Sequence, residues 1–193
     1  MSEGIELKKD FCLVRGDTCV TRTNIICEEF NMIRAGIGFD AHRLKAGRKL
    51  VLGGLEIESD LGLDGHSDAD VLTHAVMDAL LGAVAEGDIG KHFPDTDAKW
   101  KGVRSVELLS AVVNIVRKKG FEINNFDVTV MAERPKLAPY IEEMRNILAE
   151  YAGIPVDCVS VKATTVEKMG AIGREEGMAA QAIAIVTSSA RNG

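Results

Sequence analysis

Two short clusters, Gly38-Phe39-Asp40-Ala41-His42 and His66-Ser67-Asp68-Ala69-Asp70, concentrate carboxylates and imidazoles, and His74 and Asp78 follow the second. Asp40 and His42 lie two apart on an apolar, extended-looking segment, so both side chains leave one face of a strand and can reach one cation. His74 lies beside an apolar helical stripe, flanked by carboxylates able to orient an imidazole from its far side. Two His and one Asp leave a tetrahedral position open, which marks a catalytic rather than a structural zinc site. Blander readings exist for each part: a surface salt bridge for Asp40 and His42, and a core histidine bonded to Asp70 or Asp78 for His74.

Two further segments suit a phosphorylated ligand. Lys162-Ala163-Thr164-Thr165-Val166-Glu167-Lys168-Met169-Gly170 ends a strand with two hydroxyls and backbone donors, and Glu167 is free to ligate a hard cation such as magnesium. The alternative is a solvated turn. The run from Gly87 to Asp97 is dense in Gly, Asp and hydroxyl groups suited to gripping a polyol, or else is an ordinary connection. Gly173-Arg174-Glu175-Glu176-Gly177 reads as a salt-bridged turn. No GxSxG elbow or P-loop lysine appears, and Cys158 has no activating partner. The inventory points to metal-assisted phosphoryl chemistry without a covalent nucleophile.

The elements that must position these groups are legible in outline. Ile33 to Phe39 reads as a strand, followed by a loop with Lys45, Arg48 and Lys49. Leu50–Leu52 and Leu55–Ile57 flank a Gly53-Gly54 hairpin turn. Ser67 is the expected N-cap of a first helix, with Asp70 completing a capping box and Gly87 as the stop. Within it Val71, Leu72, Ala75, Val76, Ala79, Leu80, Ala83 and Val84 form one apolar face, with Asp70, His74 and Asp78 in a column along its edge. A second helix spans Ser105 to Lys119 and stops at Gly120. Phe126, Val128, Val130 and Ala132 alternate as a half-buried strand, and a third helix runs from Pro139 to Tyr151, ended by Gly153. Val159–Ala163 and Met178–Val186 are the remaining strands. The expected fold is one α+β domain, a small mixed sheet with helices on one face.

Composition narrows the partners. The chain has 193 residues, 46% of them hydrophobic and 5% aromatic, with a formal charge of −6. That length supports a core without staples. The negative balance argues against nucleic acid as the main partner, and no apolar run approaches the ~20 residues that span a bilayer. Cys12, Cys19, Cys27 and Cys158 lack the tight spacing of zinc ribbons, which fits reduced thiols in a cytoplasm of bacterial type, with a plastid-type organelle as the alternative. Residues 1–31 lack the features of a signal peptide; Phe11–Arg15 and Thr18–Arg22 around Gly16-Asp17 read as a hairpin or as a loosely ordered extension.

Taken in order, the strings R-x-G-x-G-F-D-x-H, H-S-D-x-D, G-D-I-G-K-x-F-P-D-T-D and K-A-T-T-x-E-K-x-G resemble those of the 2-C-methyl-D-erythritol 2,4-cyclodiphosphate synthase family of the non-mevalonate isoprenoid pathway. The resemblance covers about residues 32–187, which makes residues 1–31 an extension of unknown role before a synthase domain over 32–193. It implies a lyase that turns 4-diphosphocytidyl-2-C-methyl-D-erythritol 2-phosphate into the cyclic diphosphate and CMP, and a homotrimer with sites shared between subunits. It implies Asp40, His42 and His74 as zinc ligands, and His66 and Thr165 as groups supporting the transition state. Asp40, His42, His66 and Ser67 then also line the substrate. Asp88, Ile89, Gly90, Phe93, Pro94, Asp95, Thr96 and Asp97 would hold the methylerythritol, and Ala132, Glu133, Arg134, Pro135, Lys136, Leu137 and Ala138 the cytosine and ribose. Thr164, Thr165, Val166 and Glu167 would hold the nucleotide phosphates, Glu167 through magnesium or manganese. The family often carries an aromatic where this chain has Ala171, near Arg174 at the three-fold axis. A metallophosphoesterase also starts with D-x-H but needs G-N-H-[DE] or G-H-x-H segments that are missing. A metal-stabilised binding module leaves the Asp95 loop and the Thr164 segment unexplained.

Overall fold

A computed structural model describes residues 12–15, 18–21, 32–65, 67–94, 96–100 and 102–188. The chain divides into two compact units, residues 1–30 and 31–193. In the first, β1 (Cys12–Arg15) pairs antiparallel with β2 (Thr18–Thr21), which favours the hairpin over the loosely ordered alternative for these residues.

The second unit is built on a five-stranded mixed sheet. Its order is β6 (Leu61–Leu63), β3 (Ile33–Ala46), β9 (Gly177–Ser188), β7 (Phe121–Met131) and β8 (Val159–Thr164). Only β7 and β8 run parallel; the other neighbours are antiparallel. β3 is longer than the expected Ile33–Phe39. Beyond Phe39 it stays paired with β9 as far as Arg43↔Gly177, and its last residues pair with β6, so the run carrying Asp40 and His42 lies inside the sheet. β4 (Leu50–Leu52) and β5 (Leu55–Ile57) form a separate hairpin, turned by Gly53 and Gly54 at φ +58° and +76°, the left-handed values that a two-residue turn demands.

Helix α1 (Val71–Ala83) lies across the sheet and is buried on nearly every side, with Val71 to Met77, Ala79 to Leu81 and Ala83 all in the core. Helices α3 (Ser105–Lys118) and α4 (Ile141–Ala152) extend the same layer: α3 packs on α1 and β7, and α4 on α3 and β8. α2 (Ile89–His92) and α5 (Gly170–Gly173) are single turns in connections. Each fully buried Leu or Val of this layer contributes on the order of 1.5–3 kcal/mol. α3 and α4 end near the expected glycines, Gly120 and Gly153, both at positive φ. The first helix differs at both ends. Its N-cap is Asp70 rather than Ser67, because Ala69 at φ 55° breaks the helical path just before it, and it stops at Ala83, ahead of Gly87.

Gly36 and Gly38 set the spacing of the two layers. A Cβ at Gly38 would sit 2.0 Å from the Ala75 carbonyl oxygen, and one at Gly36 2.0 Å from that of Ala79. Strand β3 therefore presses its bare backbone against α1. By alternation Asp40 and His42 project to that same side. The opposite face carries Ile37, Phe39 and Ile183, which are 62%, 59% and 50% exposed. Among the described residues no helix is long and apolar enough to cross a membrane.

Candidate metal and phosphate site

Strand β3 and helix α1 bring three groups together. Asp40, His42 and His74 each offer a ligand atom within 4.8 Å of the other two. His74 Nδ1 lies 2.8 Å from Asp40 Oδ2, and His42 Nδ1 lies 3.1 Å from the same oxygen. The second approach lacks the alignment of a hydrogen bond and leaves His42 Nδ1 buried without a partner. A buried orphaned imidazole nitrogen converging with a carboxylate and a second imidazole is the donor set that a divalent ion satisfies.

Electrostatics support convergence on positive charge. Burial pushes the Asp40 carboxyl up, but the adjacent His42 and His74 imidazoles outweigh it and hold the group well below its ordinary value. Burial pulls His74 down, yet the hydrogen bond and charge of Asp40, with the charges of Asp70 and Asp68, raise it overall. The bland reading, a core histidine bonded to Asp70 or Asp78, is not what the fold contains. Asp70 is fully buried and accepts from the backbone N–H groups of Gly53, Gly54 and Thr73 and from the Thr73 hydroxyl, so it caps α1 and ties the β4–β5 turn to it. Asp78 accepts from the Ile89 N–H at 2.8 Å and anchors α2. The far nitrogen of His74 instead meets Ser105 Oγ at 2.9 Å.

Sequence reasoning missed Asp68 and Ser105. Asp68 sits inside the H-S-D-x-D string, so a signal for it existed. Ser105 stands 37 residues further on and reads only as a helix start; the packing of α3 on α1 brings it in. The Ser67 hydroxyl accepts from the Ala69 N–H at 3.3 Å, and Arg48 donates to the carbonyls of Leu63, Gly65 and Ser67, holding this segment in place. His66 and Asp95, both expected at the site, lie outside the described residues.

The connection after α1 carries Asp88, which caps α2 through the Lys91 N–H, together with exposed Gly90 and half-buried Ile89. Phe93 packs edge-on against Trp100 with ring centroids 5.0 Å apart. Pro94 is half-buried and Thr96 exposed, and Asp97 pairs with Lys99 at 2.7 Å.

At the other side of the sheet, the carboxyl ends of parallel β7 and β8 open a cavity of about 210 Å³. It is lined by Ala132, Glu133, Pro135, Lys136, Leu137, Ala138, Ala163, Thr164 and Thr165. The two sequence segments expected to hold a nucleotide thus share one cavity. Arg134 is not among its lining residues and pairs with Glu175 at 3.3 Å. Glu133 Oε1 accepts from the N–H groups of Val166 and Lys168, holding Glu167 and Lys168 at φ 52° and 60°. Glu167 accepts from the Thr165 hydroxyl at 2.7 Å, which aims both side chains at one point. Ala171 and Arg174 are exposed beyond this turn, and Arg174 pairs with Glu176 at 2.6 Å.

The register relates the two halves. Asp40 pairs with Ala180, Ala180 with Val130, and Val130 with Ala163. The triad and the cavity therefore stand level but three strands apart, about 14 Å at ~4.8 Å per strand.

The family model described as the YgbB family matches residues 33–187. The 2-C-methyl-D-erythritol 2,4-cyclodiphosphate synthase of Alkaliphilus metalliredigens is 59% identical over 157 residues, covering 81% of this chain and 99% of that relative. The synthase of Salinibacter ruber is 57% identical over 157 residues, covering 81% of this chain and 100% of that relative. Among solved structures, the IspF of Plasmodium falciparum in complex with CDP superposes with a TM-score of 0.73 at 30% identity, covering 83% of this chain and 99% of that one.

Proposed function

Because this chain belongs to the YgbB family, whose relatives are 2-C-methyl-D-erythritol 2,4-cyclodiphosphate synthases, we infer that it is a lyase of non-mevalonate isoprenoid biosynthesis. It converts 4-diphosphocytidyl-2-C-methyl-D-erythritol 2-phosphate into the cyclic 2,4-diphosphate and CMP. The observation that carries the chemistry is the convergence of Asp40, His42 and His74 on a point one ion can occupy.

In this reaction the 2-phosphate attacks the β-phosphorus and CMP leaves. A phosphate monoester has its second pKa near ~6 and is already largely dianionic, so no strong general base is needed. The chain's task is to fold the substrate for ring closure and to neutralise charge, and orientation alone is worth about 7–11 kcal/mol in favourable intramolecular cases. Asp40, His42 and His74 would hold zinc, and Glu167 magnesium or manganese. Bound there, these ions supply Lewis acidity at the phosphate oxygens. Asp88, Ile89, Gly90 and the Phe93–Asp97 loop orient the methylerythritol. The Ala132–Ala138 segment, which lines the cavity except at Arg134, would take cytosine and ribose, and the CDP complex of the Plasmodium falciparum relative supports a cytidine-linked ligand. The Thr164–Glu167 turn offers hydroxyls to the diphosphate, with His66 and Thr165 supporting the transition state and Ser67 beside the phosphate.

The site is shared between subunits of a homotrimer. Two observations favour this reading: the ~14 Å between triad and cavity within one chain, and the exposed apolar face of Ile37, Phe39 and Ile183 opposite the helices. Ala171 and Arg174 would approach the axis, and residues 1–31 are an extension of unknown role. Incubation with the cytidine diphosphate substrate, followed by phosphorus NMR, tests the activity: CMP and a cyclic diphosphate should appear, and an unchanged substrate spectrum would refute it. Sharing is tested by refolding His42→Ala and Thr165→Ala chains together. One interface in four, about a quarter of parental activity, should then combine two intact halves; no recovery would confine the site to one chain.

A further inference from the structure

The hydrogen bonds behind His74 run in one direction only. Both oxygens of Asp68 face Ser105: Oδ2 accepts from the Ser105 N–H at 3.0 Å, and Oδ1 is in close contact with Ser105 Oγ. An ionised carboxylate only accepts, so the Ser105 hydroxyl proton points at Asp68. Ser105 Oγ is then left as an acceptor toward His74 Nε2, 2.9 Å away, and that nitrogen must carry a hydrogen. Ser105 is fully buried and His74 only 7% exposed, so water does not offer either group an alternative partner. His74 Nδ1, which donates to Asp40 Oδ2 at 2.8 Å in this structure, is thereby the nitrogen that gives up its proton to present a lone pair where Asp40 and His42 converge. The contacts join three elements: Asp68 precedes α1, His74 lies on it, and Ser105 is the first residue of α3.

We propose that Asp68 and Ser105 are positioning residues of the metal centre, a relay that fixes Nδ1 as the ligand atom of His74 and holds its ring in place. The inference rests on the reading that Asp40, His42 and His74 bind a metal. Outer partners of a ligating histidine fix its tautomer and orientation, and their loss weakens metal binding by roughly 10–100-fold. The side chain of Ser105 touches neither ligand carboxylate nor cavity, so its effect passes through His74 alone.

The test is zinc affinity by chelator competition on the full-length protein. Ser105→Ala should weaken zinc about 10–100-fold, and Asp68→Ala by a similar factor. Asp68→Ala should cost clearly less in the Ser105→Ala background than in the parent, because the hydroxyl route is already cut and only the Asp68 charge still acts on His74. Additive losses in the double variant would mean that Asp68 acts independently and would overturn the relay. Zinc binding by Ser105→Ala within twofold of the parent would overturn it as well, while leaving the metal reading intact. Nitrogen-15 NMR of the zinc-loaded parent gives a check that needs no variant: the His74 ring proton should reside on Nε2. Finding it on Nδ1 refutes the proposal, and a parent that binds no zinc refutes the metal reading and this inference together.

Discussion

Replacing Gly38 with Ala should dismantle the metal triad without touching any of its ligands. The new Cβ would lie 2.0 Å from the Ala75 carbonyl oxygen and 2.7 Å from the Ala79 nitrogen, and real Cβ atoms essentially never come closer than 3.0 Å to a neighbour. Both obstacles are backbone atoms of α1, so no side chain can rotate away. The helix must retreat from β3 by about 1 Å, the gap between the two distances. Asp40 lies two residues beyond Gly38 on the strand, and His74 adjoins Ala75 on the helix, so the retreat acts directly on the 2.8 Å approach of His74 Nδ1 to Asp40 Oδ2. Zinc sites tolerate about ±0.2 Å in ligand distance, a fraction of that displacement. Zinc affinity should therefore fall by about 100-fold or more, at or past the upper end of the loss from an outer partner. Overpacking should also cost ~3 kcal/mol of stability, read by denaturant unfolding in excess chelator so that metal binding does not contribute. Gly82→Ala is the control: it lies on the same helix, its Cβ meets only the Ile37 oxygen at 3.8 Å, and it should stabilise by about 0.5–1 kcal/mol. Parental zinc content in Gly38→Ala would refute the claim that the bare β3 backbone sets the triad.

His74→Ala should lose zinc, by elemental analysis, and turnover, yet remain folded at a cost of roughly 1–3 kcal/mol for the partners left unpaired; equal zinc content would remove His74 from the ligand set. A chain beginning at Met32 should keep its oligomeric state on gel filtration and most of its turnover, and loss of assembly would show that residues 1–31 are integral. In the metal-free protein the triad should stabilise most between the two ordinary pKa values, ~4 for Asp and ~6.5 for His. Asp40 is depressed, so its contribution is present above its unfolded value and lost as pH falls below it; His74 is raised, so its contribution is full below its unfolded value and lost as pH rises through its folded one. Thermal melting with chelator should follow that profile, and zinc should restore stability at the alkaline end. A flat profile would break the coupling of Asp40 to His74.

Much of this protein follows from local rules acting on its sequence. The alternation of Phe126, Val128, Val130 and Ala132, the Gly53-Gly54 turn and the stops at Gly120 and Gly153 are short-range effects of pleat and left-handed backbone, and each emerges as read. The D-x-H pair is equally local, because strand geometry alone puts both side chains on one face. Tertiary packing decided the rest. Ser67 has the chemistry of an N-cap, but Asp70 takes that role because Ala69 at positive φ breaks the helical path before it and the N–H groups of Gly53 and Gly54, distant in sequence, hydrogen-bond its buried carboxyl. β3 outruns its apolar segment because β9 supplies partners for Asp40 to Arg43 regardless of their polarity. The tautomer of His74 depends on Ser105, which no spacing rule connects to it. Local propensity reaches only three or four residues along the chain, whereas a charge buried among distant backbone donors, or an imidazole held from both sides, exists only after the layers have packed.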